Sequence, residues 1–199
     1  MSEAVGRAYD ARAEEYVARF GDLADLAEVD RALVTRWRDT TTGVLLDAGC
    51  GPGTWGDLLR GGGRTVLGLD VSRAFLAHAR AAHPETLLVG GSLEALPLRD
   101  GCVGGVLAWY STIHLEPARL PGALAELGRV LAPGGTLLLG FFSGVPGEPF
   151  DHAVTTAWFG TAETLGGHLA PAGLEVVEDH LRHEDGSRPL AALVARRTR

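Results

Sequence analysis

Residues 43–53 read Gly-Val-Leu-Leu-Asp-Ala-Gly-Cys-Gly-Pro-Gly, and this stretch decides the fold. The apolar run Val-Leu-Leu is typical of a buried parallel strand, and Asp47 ends it. The alternate glycines that follow allow the backbone to come close to a ligand. Residues 54–60 suit a helix, so the glycines are predicted to form a strand-to-helix turn. Such turns lie at the carboxyl ends of strands, where open α/β sheets bind small molecules.

The spacing of these glycines argues against two common phosphate-binding loops. A dinucleotide-binding turn favours Gly-x-Gly-x-x-Gly, but the third of these positions is Thr54 here. A P-loop needs Gly-Lys-Ser/Thr, and the chain contains no lysine. An acid at the strand end instead suits a ligand that has an ammonium group and no phosphate.

A second acid follows at the end of the next predicted strand. Residues 64–70 read Arg-Thr-Val-Leu-Gly-Leu-Asp, so Asp70 is expected at the strand tip. A carboxylate there can accept hydrogen bonds from both hydroxyls of a ribose. Ser72 is a suitable N-cap for a helix through residue 82. The expected ligand therefore carries a ribose and a positive group.

Four segments in the stretch 43–142 carry a family resemblance: residues 46–53, 68–72, 91–98 and 129–135. Together and in this order they resemble the class I S-adenosylmethionine-dependent methyltransferases, in particular the small type 11 group related to the quinone-biosynthesis methyltransferases. The resemblance implies an α/β fold. A Rossmann-like, seven-stranded, mostly parallel sheet would end in an antiparallel hairpin strand, with helices on both faces. It also implies S-adenosylmethionine as the cofactor.

The resemblance assigns cofactor contacts to the tips of the first four strands. The glycine turn would contact the methionine part, the second acid the ribose, and the third segment the adenine, while a tryptophan would lie near the sulfonium. The expected cofactor-binding residues are Asp47, Gly49, Cys50, Gly51, Asp70, Val71, Ser92, Leu93 and Trp109. Ser92 departs from the family, which commonly has an aspartate there to hold the adenine amino group.

The acceptor side is expected just past the fourth strand. His114 is the candidate general base, because a neutral imidazole titrates near working pH; a purely packing role is the alternative. Tyr9 and Tyr16 resemble residues of an amino-terminal helix that folds over the cofactor, and aromatic packing on the core is again the alternative. Tyr110 and Trp158 are further candidates for acceptor contact.

Methyl transfer from a sulfonium is an in-line displacement that does not require a catalytic triad. The donor is already activated by its charge, so the protein mainly aligns donor and acceptor and excludes water. A base helps only when the nucleophile arrives protonated. Two other functions stay open from the sequence: an NAD(P)-dependent oxidoreductase, and a non-catalytic module that binds S-adenosylmethionine.

The 199 residues are predicted to form one methyltransferase domain in three parts. Residues 1–40 form a helical cap, 43–142 the cofactor-binding core, and 143–199 an acceptor-side loop, the last helix and the closing hairpin. Strands are expected near residues 44–47, 65–69, 86–89, 103–109, 136–142, 174–181 and 190–196. Helices are expected near residues 2–20, 23–38, 54–60, 73–82, 117–131 and 161–170, with Pro117 in the first turn of its helix and Gly134 at its end.

Composition limits the partners and the compartment. A net charge of −7 argues against a nucleic-acid surface, and no apolar run approaches a membrane span. The two cysteines favour free thiols, so the protein is expected to be cytoplasmic, with a small-molecule acceptor as its partner. His180 and His183 lie three apart on a predicted strand and face opposite sides, so no metal site is predicted. Composition leaves the oligomeric state open.

Overall fold

The fold is built on a mostly parallel sheet, seen in a computed structural model that describes residues 3–183 and 186–198. Within those residues the strands are β1 (Leu45–Ala48), β2 (Val66–Asp70), β3 (Leu87–Gly90), β4 (Val103–Trp109), β5 (Leu131–Phe142), β6 (Pro149–Phe150), β7 (Ala157–Trp158), β8 (Leu174–Arg182) and β9 (Leu190–Arg197). Seven of these described strands form the main sheet in the order β3-β2-β1-β4-β5-β9-β8, and β6 pairs with β7.

The pairing agrees with the architecture predicted from the sequence. Strands β1 to β5 pair in parallel, β9 runs antiparallel to β5, and β8 runs antiparallel to β9. The closing hairpin is therefore confirmed, although positions 184 and 185 of its predicted turn lie outside the described residues. The carboxyl ends of β1, β2 and β4 are neighbours along one edge of the sheet, which is where the candidate site lies.

Helices alternate with most of these strands along the chain, as in a doubly wound sheet. In the described chain the α-helices are α1 (Glu3–Asp10), α2 (Ala13–Phe20), α3 (Glu28–Thr40), α4 (Thr54–Arg60), α5 (Arg73–Ala82), α6 (Leu120–Val130) and α7 (Ala162–Leu169). Short 3-10 helices cover Leu23–Asp25 and Ala170–Ala172. Helices α4 and α5 match the predicted bounds, and Ser72 caps α5 by accepting the amide proton of Phe75.

The predicted single helix over residues 2–20 is wrong, because the chain breaks between α1 and α2. Arg12 leaves the helical region, with φ at −124°. The break allows Tyr9 and Tyr16 to pack on the same ring, Phe75, at centroid distances of 5.4 and 5.1 Å. Aromatic packing on the core thus overrides the helix propensity of the segment.

The predicted bounds of the helix over residues 117–131 are also wrong. Helix α6 starts at Leu120 with Pro121 in its first turn, so Pro117 precedes it. The helix ends at Val130 because Leu131 is already extended, and Pro133 cannot continue a helix. Gly134 lies inside β5 and does not end the helix.

Strand β1 is buried on both faces, as a central parallel strand requires. Its neighbouring residues Leu45 and Leu46 point to opposite faces. Leu45 packs in a cluster with α3 and α4, and Leu46 packs in the larger cluster with α6 and α7. The sheet therefore has an apolar layer on each side, and the carboxyl ends of its strands lie between these two layers.

In the described part of the chain, no helix has the length and apolar character that a bilayer crossing requires.

Candidate active site

The glycine turn lies between β1 and α4 and is tied to the tip of β2. The amides of Gly49 and Cys50 both donate to the carbonyl oxygen of Leu69, at 2.7 and 3.0 Å. The amide of Gly51 donates to Oδ2 of Asp70 at 2.8 Å. The turn that follows Asp47 is thus hydrogen-bonded to Asp70, the second acid that the sequence predicted at a strand tip.

Two glycines of this turn serve different purposes. Gly49 has φ +87°, and a Cβ atom on it would lie 2.3 Å from the Cβ atom of Ser111. The fold itself therefore requires a glycine there. Gly51 has φ +54°, but a Cβ atom on it would meet no atom within 4 Å. Its α-carbon faces space that a ligand can approach.

Asp47 is a buried acid beside this turn. Its side chain is 1% exposed, and its Oδ2 atom has no hydrogen-bond partner among the described residues. Burial, and then the nearby charge of Asp70, raise the pKa of Asp47 to about 7. The Oγ atom of Ser111 is likewise buried and unpartnered within the described chain. Two buried oxygen atoms near Gly49 are therefore available to a polar, positively charged ligand.

Asp70 is buried at the tip of β2 and fixes the loop that follows. Its Oδ1 atom accepts the amide proton of Ser72 at 2.8 Å, and its Oδ2 atom accepts that of Gly51. Burial raises the pKa of Asp70, while these backbone hydrogen bonds act in the opposite direction. Each carboxylate oxygen can accept a further bond, so a ribose remains compatible with this position.

Helix α1 covers this loop and is tied to it by Asp10. The Oδ1 atom of Asp10 accepts hydrogen bonds from Oγ of Ser72 at 2.6 Å and from the amide of Ala74 at 3.0 Å. A Cβ atom on Gly6 would lie only 3.2 Å from the carbonyl oxygen of Val71. The predicted site residue Val71 is therefore in close contact with the cap.

Replacing Asp10 with alanine is expected to loosen α1 without unfolding the domain. The change leaves two donors at the start of α5 without their carboxylate, and a lost cap costs about 1 kcal/mol. Amide exchange in α1 should become faster, while exchange in β1 stays slow. The matched control is Glu3→Ala, since Glu3 lies on the same helix in an exposed ion pair with Arg7. Equal exchange in α1 of both variants would contradict the role of Asp10.

His114 is 7% exposed and makes hydrogen bonds through both ring nitrogens. Nδ1 lies 2.8 Å from the carbonyl oxygen of Thr156, which can only accept, so Nδ1 carries the proton. Nε2 lies 2.9 Å from the hydroxyl of Tyr9. Burial lowers the pKa of His114, although the bond to Thr156 acts in the opposite direction. The ring is therefore neutral, and Tyr9 donates to its free lone pair.

Aromatic rings surround this pair. The Tyr9 ring lies 5.8 Å from that of Tyr16, and the His114 ring lies 5.0 Å from that of His152. Burial and the charge of Asp70 raise the pKa of Tyr16 to about 12. Burial and the neighbouring His114 lower the pKa of His152 to about 4. Neutral side chains thus connect the cap with the loop of residues 143–160.

The tip of β4 carries a strained residue. Tyr110 has φ +54°, and backbone strain of this kind in a residue other than glycine is concentrated at functional sites. Its ring packs on Trp109 at 5.3 Å and on Phe142 at 5.1 Å. A cavity of about 350 Å³ reaches Trp109 and Tyr110 from the surface between α3 and the β8–β9 hairpin. A larger groove between α3 and α4, about 810 Å³, contains none of the predicted site residues.

The structure places four further predicted site residues in well-defined surroundings. The side chain of Leu93 is 0% exposed in the main core cluster, so only its backbone is available to an adenine. Ser92 accepts the amide proton of Glu94 at 3.2 Å, which closes a local turn. Cys50 is buried, and burial raises the pKa of its thiol. Trp158 lies in β7, where its amide donates to the carbonyl oxygen of Ile113.

The sequence did not reveal four residues that complete the site: Asp10, Ser111, Thr156 and His152. Ser111 lies within the segment quoted for His114, but nothing in the pattern singles out its hydroxyl. Asp10, Thr156 and His152 act through contacts with residues distant in the chain, which a local pattern does not encode. In the described residues, no group of three or more histidine, cysteine, aspartate or glutamate side chains has the arrangement of a metal site.

Fold and site together define a class of protein. A seven-stranded Rossmann-like sheet, a glycine turn after β1 and an acid at the tip of β2 form a domain built for a nucleoside cofactor. A family profile described as a methyltransferase domain matches residues 45–135. The matched segment is a methyltransferase domain of the class I S-adenosylmethionine-dependent kind, and the cofactor of that family is S-adenosylmethionine.

Two curated relatives illustrate the similarity. A malonyl-[acyl-carrier protein] O-methyltransferase from Erwinia billingiae is 32% identical over 156 residues, which cover 78% of this chain and 59% of that protein. A demethylmenaquinone methyltransferase from Renibacterium salmoninarum is 30% identical over 155 residues, which cover 71% of this chain and 64% of that protein. The chain thus spans less than two thirds of either relative.

The fold is also similar to solved structures. The crystal structure of the [4+2]-cyclase SpnF superposes on this chain with a TM-score of 0.81 at 20% sequence identity. The superposition covers 99% of this chain and 97% of the SpnF chain. At this identity the likeness concerns the fold alone.

Proposed function

We propose that this chain transfers a methyl group from S-adenosylmethionine to a small-molecule acceptor by in-line displacement. The observation that carries the proposal is the buried carboxylate of Asp47, with one oxygen atom unpartnered in the described chain, close to the second buried carboxylate of Asp70. Each carboxylate disfavours the ionised form of the other, and a positive ligand beside them offsets this repulsion. S-adenosylmethionine has an ammonium and a sulfonium group, whereas NADH has a pyrophosphate.

The residues in and around the glycine turn have different roles in this proposal. The open side of Gly51 lets the ligand approach the backbone closely, because a Cβ atom there would meet no atom within 4 Å. Asp47 and Ser111 accept bonds from the ammonium group. Asp70 accepts bonds from the ribose hydroxyls while it holds the turn in place through the amide of Gly51. The adenine contacts the backbone of Leu93 beside Ser92.

When bound, S-adenosylmethionine supplies a methyl group activated by the positive charge on sulfur. The protein then aligns the acceptor and excludes water, for which the aromatic residues around the tip of β4 are suited. The cavity of about 350 Å³ beside Trp109 and Tyr110 is lined by α3 and the β8–β9 hairpin and not by His114 or the glycine turn, so it is not the proposed acceptor site. His114 is the candidate base for an acceptor that arrives protonated.

A binding experiment tests the cofactor assignment first. S-adenosylhomocysteine should raise the melting temperature, because a ligand that binds only the folded state stabilises it, and NADH should not. Stabilisation by NADH and not by S-adenosylhomocysteine would contradict the proposal and favour an oxidoreductase. Transfer of radiolabel from methyl-labelled S-adenosylmethionine to a pool of small metabolites then tests catalysis. Tight binding without transfer to any acceptor would favour the non-catalytic module, since one fold supports several functions.

The affinity for S-adenosylhomocysteine is expected to increase between pH 6 and pH 8. The pKa of Asp47 is raised to about 7, so below that pH the free protein holds a proton there. An ammonium ligand binds the ionised carboxylate, and this proton must leave. Affinity should therefore fall by up to about tenfold for each pH unit below 7.

Calorimetry in buffers of different ionisation enthalpy measures this release of a proton directly. Asp47→Asn is the control, and its affinity should be weaker at pH 8 and nearly independent of pH. The stability of the ligand-free protein should change in the opposite sense. Because the folded pKa lies above the unfolded value, the contribution of Asp47 to stability decreases as pH rises from about 4 to 7. Proton release that persists in Asp47→Asn would assign the effect to another group.

A further inference from the structure

The neutral ring of His114 cannot take a proton directly from an acceptor in the observed arrangement. Its Nδ1 proton is held by the carbonyl oxygen of Thr156, and its Nε2 lone pair already accepts the hydroxyl proton of Tyr9. Both nitrogens are therefore engaged. Of the two hydrogen-bonded groups, the Tyr9 hydroxyl is the one that keeps a lone pair for a further hydrogen bond.

We propose that Tyr9 is a catalytic residue that relays the acceptor's proton to His114. This inference rests on the proposed methyl transfer and adds the identity of the group that touches the acceptor. The Tyr9 oxygen keeps lone pairs after donating to His114, so it can accept a hydrogen bond from an acceptor O–H, N–H or S–H group. The substrate class is accordingly a nucleophile that still carries its proton when it binds.

The relay balances as two coupled proton transfers. The acceptor's proton forms a bond to the Tyr9 oxygen, and the electron pair of the broken bond stays on the acceptor atom, which uses it to bond the incoming methyl group. The methyl–sulfur bond would break at the same time, its electron pair would stay on sulfur, and S-adenosylhomocysteine would be the leaving group. The original Tyr9 proton moves to Nε2, so tyrosine stays neutral and His114 becomes an imidazolium. The Thr156 carbonyl stabilises this cation through the Nδ1 proton, and the extra proton later leaves to solvent.

The surroundings of Tyr9 disfavour a stable tyrosinate. Tyr9 would therefore pass the proton on and stay neutral. Burial, then Tyr16 and the carboxylate of Asp70, raise the pKa of Tyr9, so its phenolate is strongly disfavoured. From the loop side, His152 faces His114. Arg12 and Arg188 lower the pKa of His152 further, so it stays neutral. Among these titratable neighbours, the His114 ring is the group placed to hold the proton.

Helix α1 gives the relay its geometry. Asp10, the next residue in the chain, is bonded to Ser72 and Ala74 at the start of α5. The Tyr9 ring packs on Phe75 of the same helix. The hydroxyl is thus positioned by the docking of α1 on the loop that follows Asp70 and on the start of α5.

The test begins with wild-type protein and the Tyr9→Phe variant, which keeps the ring and removes the hydroxyl. Calorimetry with S-adenosylhomocysteine should show similar affinities for both. Failure of the wild type to bind would refute the proposed function itself, and so is distinguished from failure of the relay. Melting temperatures confirm that the variant folds.

Nitrogen-15 NMR of the histidine rings then tests the hydrogen bond without an acceptor. The His114 signals, assigned from their loss in His114→Gln, should show the proton on Nδ1. In Tyr9→Phe the pKa of His114 should rise by roughly half to one unit, because the neutral ring loses a donor to Nε2. Tyr16→Phe is the control and should leave that pKa unchanged. A proton on Nε2, or equal titration in wild type and Tyr9→Phe, would overturn the relay.

Two probe nucleophiles test the proton transfer itself. Phenol must lose a proton, and iodide has none. Tyr9→Phe and His114→Gln should each lower the methylation rate of phenol by roughly 10²–10⁴-fold, and the double variant should be no slower than the slower single variant. The rate with iodide should not change. Equal losses with both probes, or additive losses in the double variant, would overturn the relay; if neither probe is methylated, the NMR result decides.

Discussion

Gly51→Val is expected to abolish measurable binding of S-adenosylhomocysteine while the protein remains folded. A Cβ atom at this position meets no protein atom within 4 Å, so the ligand-free fold leaves space where the new side chain begins. It would occupy the space that the proposed cofactor needs. The residue has φ +54°, and holding an L-residue there costs about 1–2 kcal/mol. This strain is small compared with the free energy of unfolding of a typical domain, about 5–15 kcal/mol.

The matched control is Gly62→Val in the turn between α4 and β2. Gly62 has φ +72°, and a Cβ atom on it also meets nothing within 4 Å, so both variants carry the same kind of strain. Only Gly51 belongs to the turn that binds Asp70. Titration calorimetry should therefore detect binding in Gly62→Val and none in Gly51→Val. Binding at wild-type strength in Gly51→Val would mean that the cofactor lies elsewhere on the molecule.

The sheet and its order were predictable because they follow from local patterns. The apolar run before Asp47 must be buried on both faces, and helix-forming segments separate β1 from β2, β2 from β3 and β4 from β5. The glycine turn and Asp70 were found for the same reason, since strand ends and turn residues are marked by sequence. The two acids meet because parallel neighbours end at one edge.

The amino-terminal cap was predictable only in composition. Alanine, arginine and glutamate favour a helix throughout residues 3–20, and no glycine or proline marks the break at Arg12. The break depends on the packing of Tyr9 and Tyr16 against Phe75, which is distant in the sequence. Tertiary contacts of this kind override helix propensity and cannot be read from a local pattern.

The chemistry of His114 shows the same limit at the level of a single atom. Its position after β4 made it a candidate base from the sequence. The tautomer, however, is fixed by the Thr156 carbonyl and the free lone pair is filled by Tyr9, contacts that span 42 and 105 residues. Only the folded structure shows that both ring nitrogens of His114 are already engaged in hydrogen bonds.

Asp70→Ala is expected to weaken the binding of S-adenosylhomocysteine by at least about 10²-fold. Each charge-assisted hydrogen bond to a ribose hydroxyl contributes about 1.5–3 kcal/mol, and about 1.4 kcal/mol corresponds to a tenfold change in affinity. Asp70 also supports the fold, because it is 5% exposed and accepts the amide protons of Gly51 and Ser72.

The Asp70→Ala variant should therefore also lose stability, since a buried amide left without its acceptor costs about 1–3 kcal/mol. Affinity must be measured well below its melting temperature, so that lost binding is not confused with unfolding. Asp70→Asn provides the comparison: its amide oxygen can still accept one backbone proton, so stability should recover in part. Its affinity should stay low, because a neutral amide does not replace the charge. Asp57→Ala, on the exposed surface of α4 beside Arg60, is the control for the loss of one acid. Wild-type affinity in a folded Asp70→Ala protein would remove the ribose from the tip of β2 and require a different orientation of the cofactor.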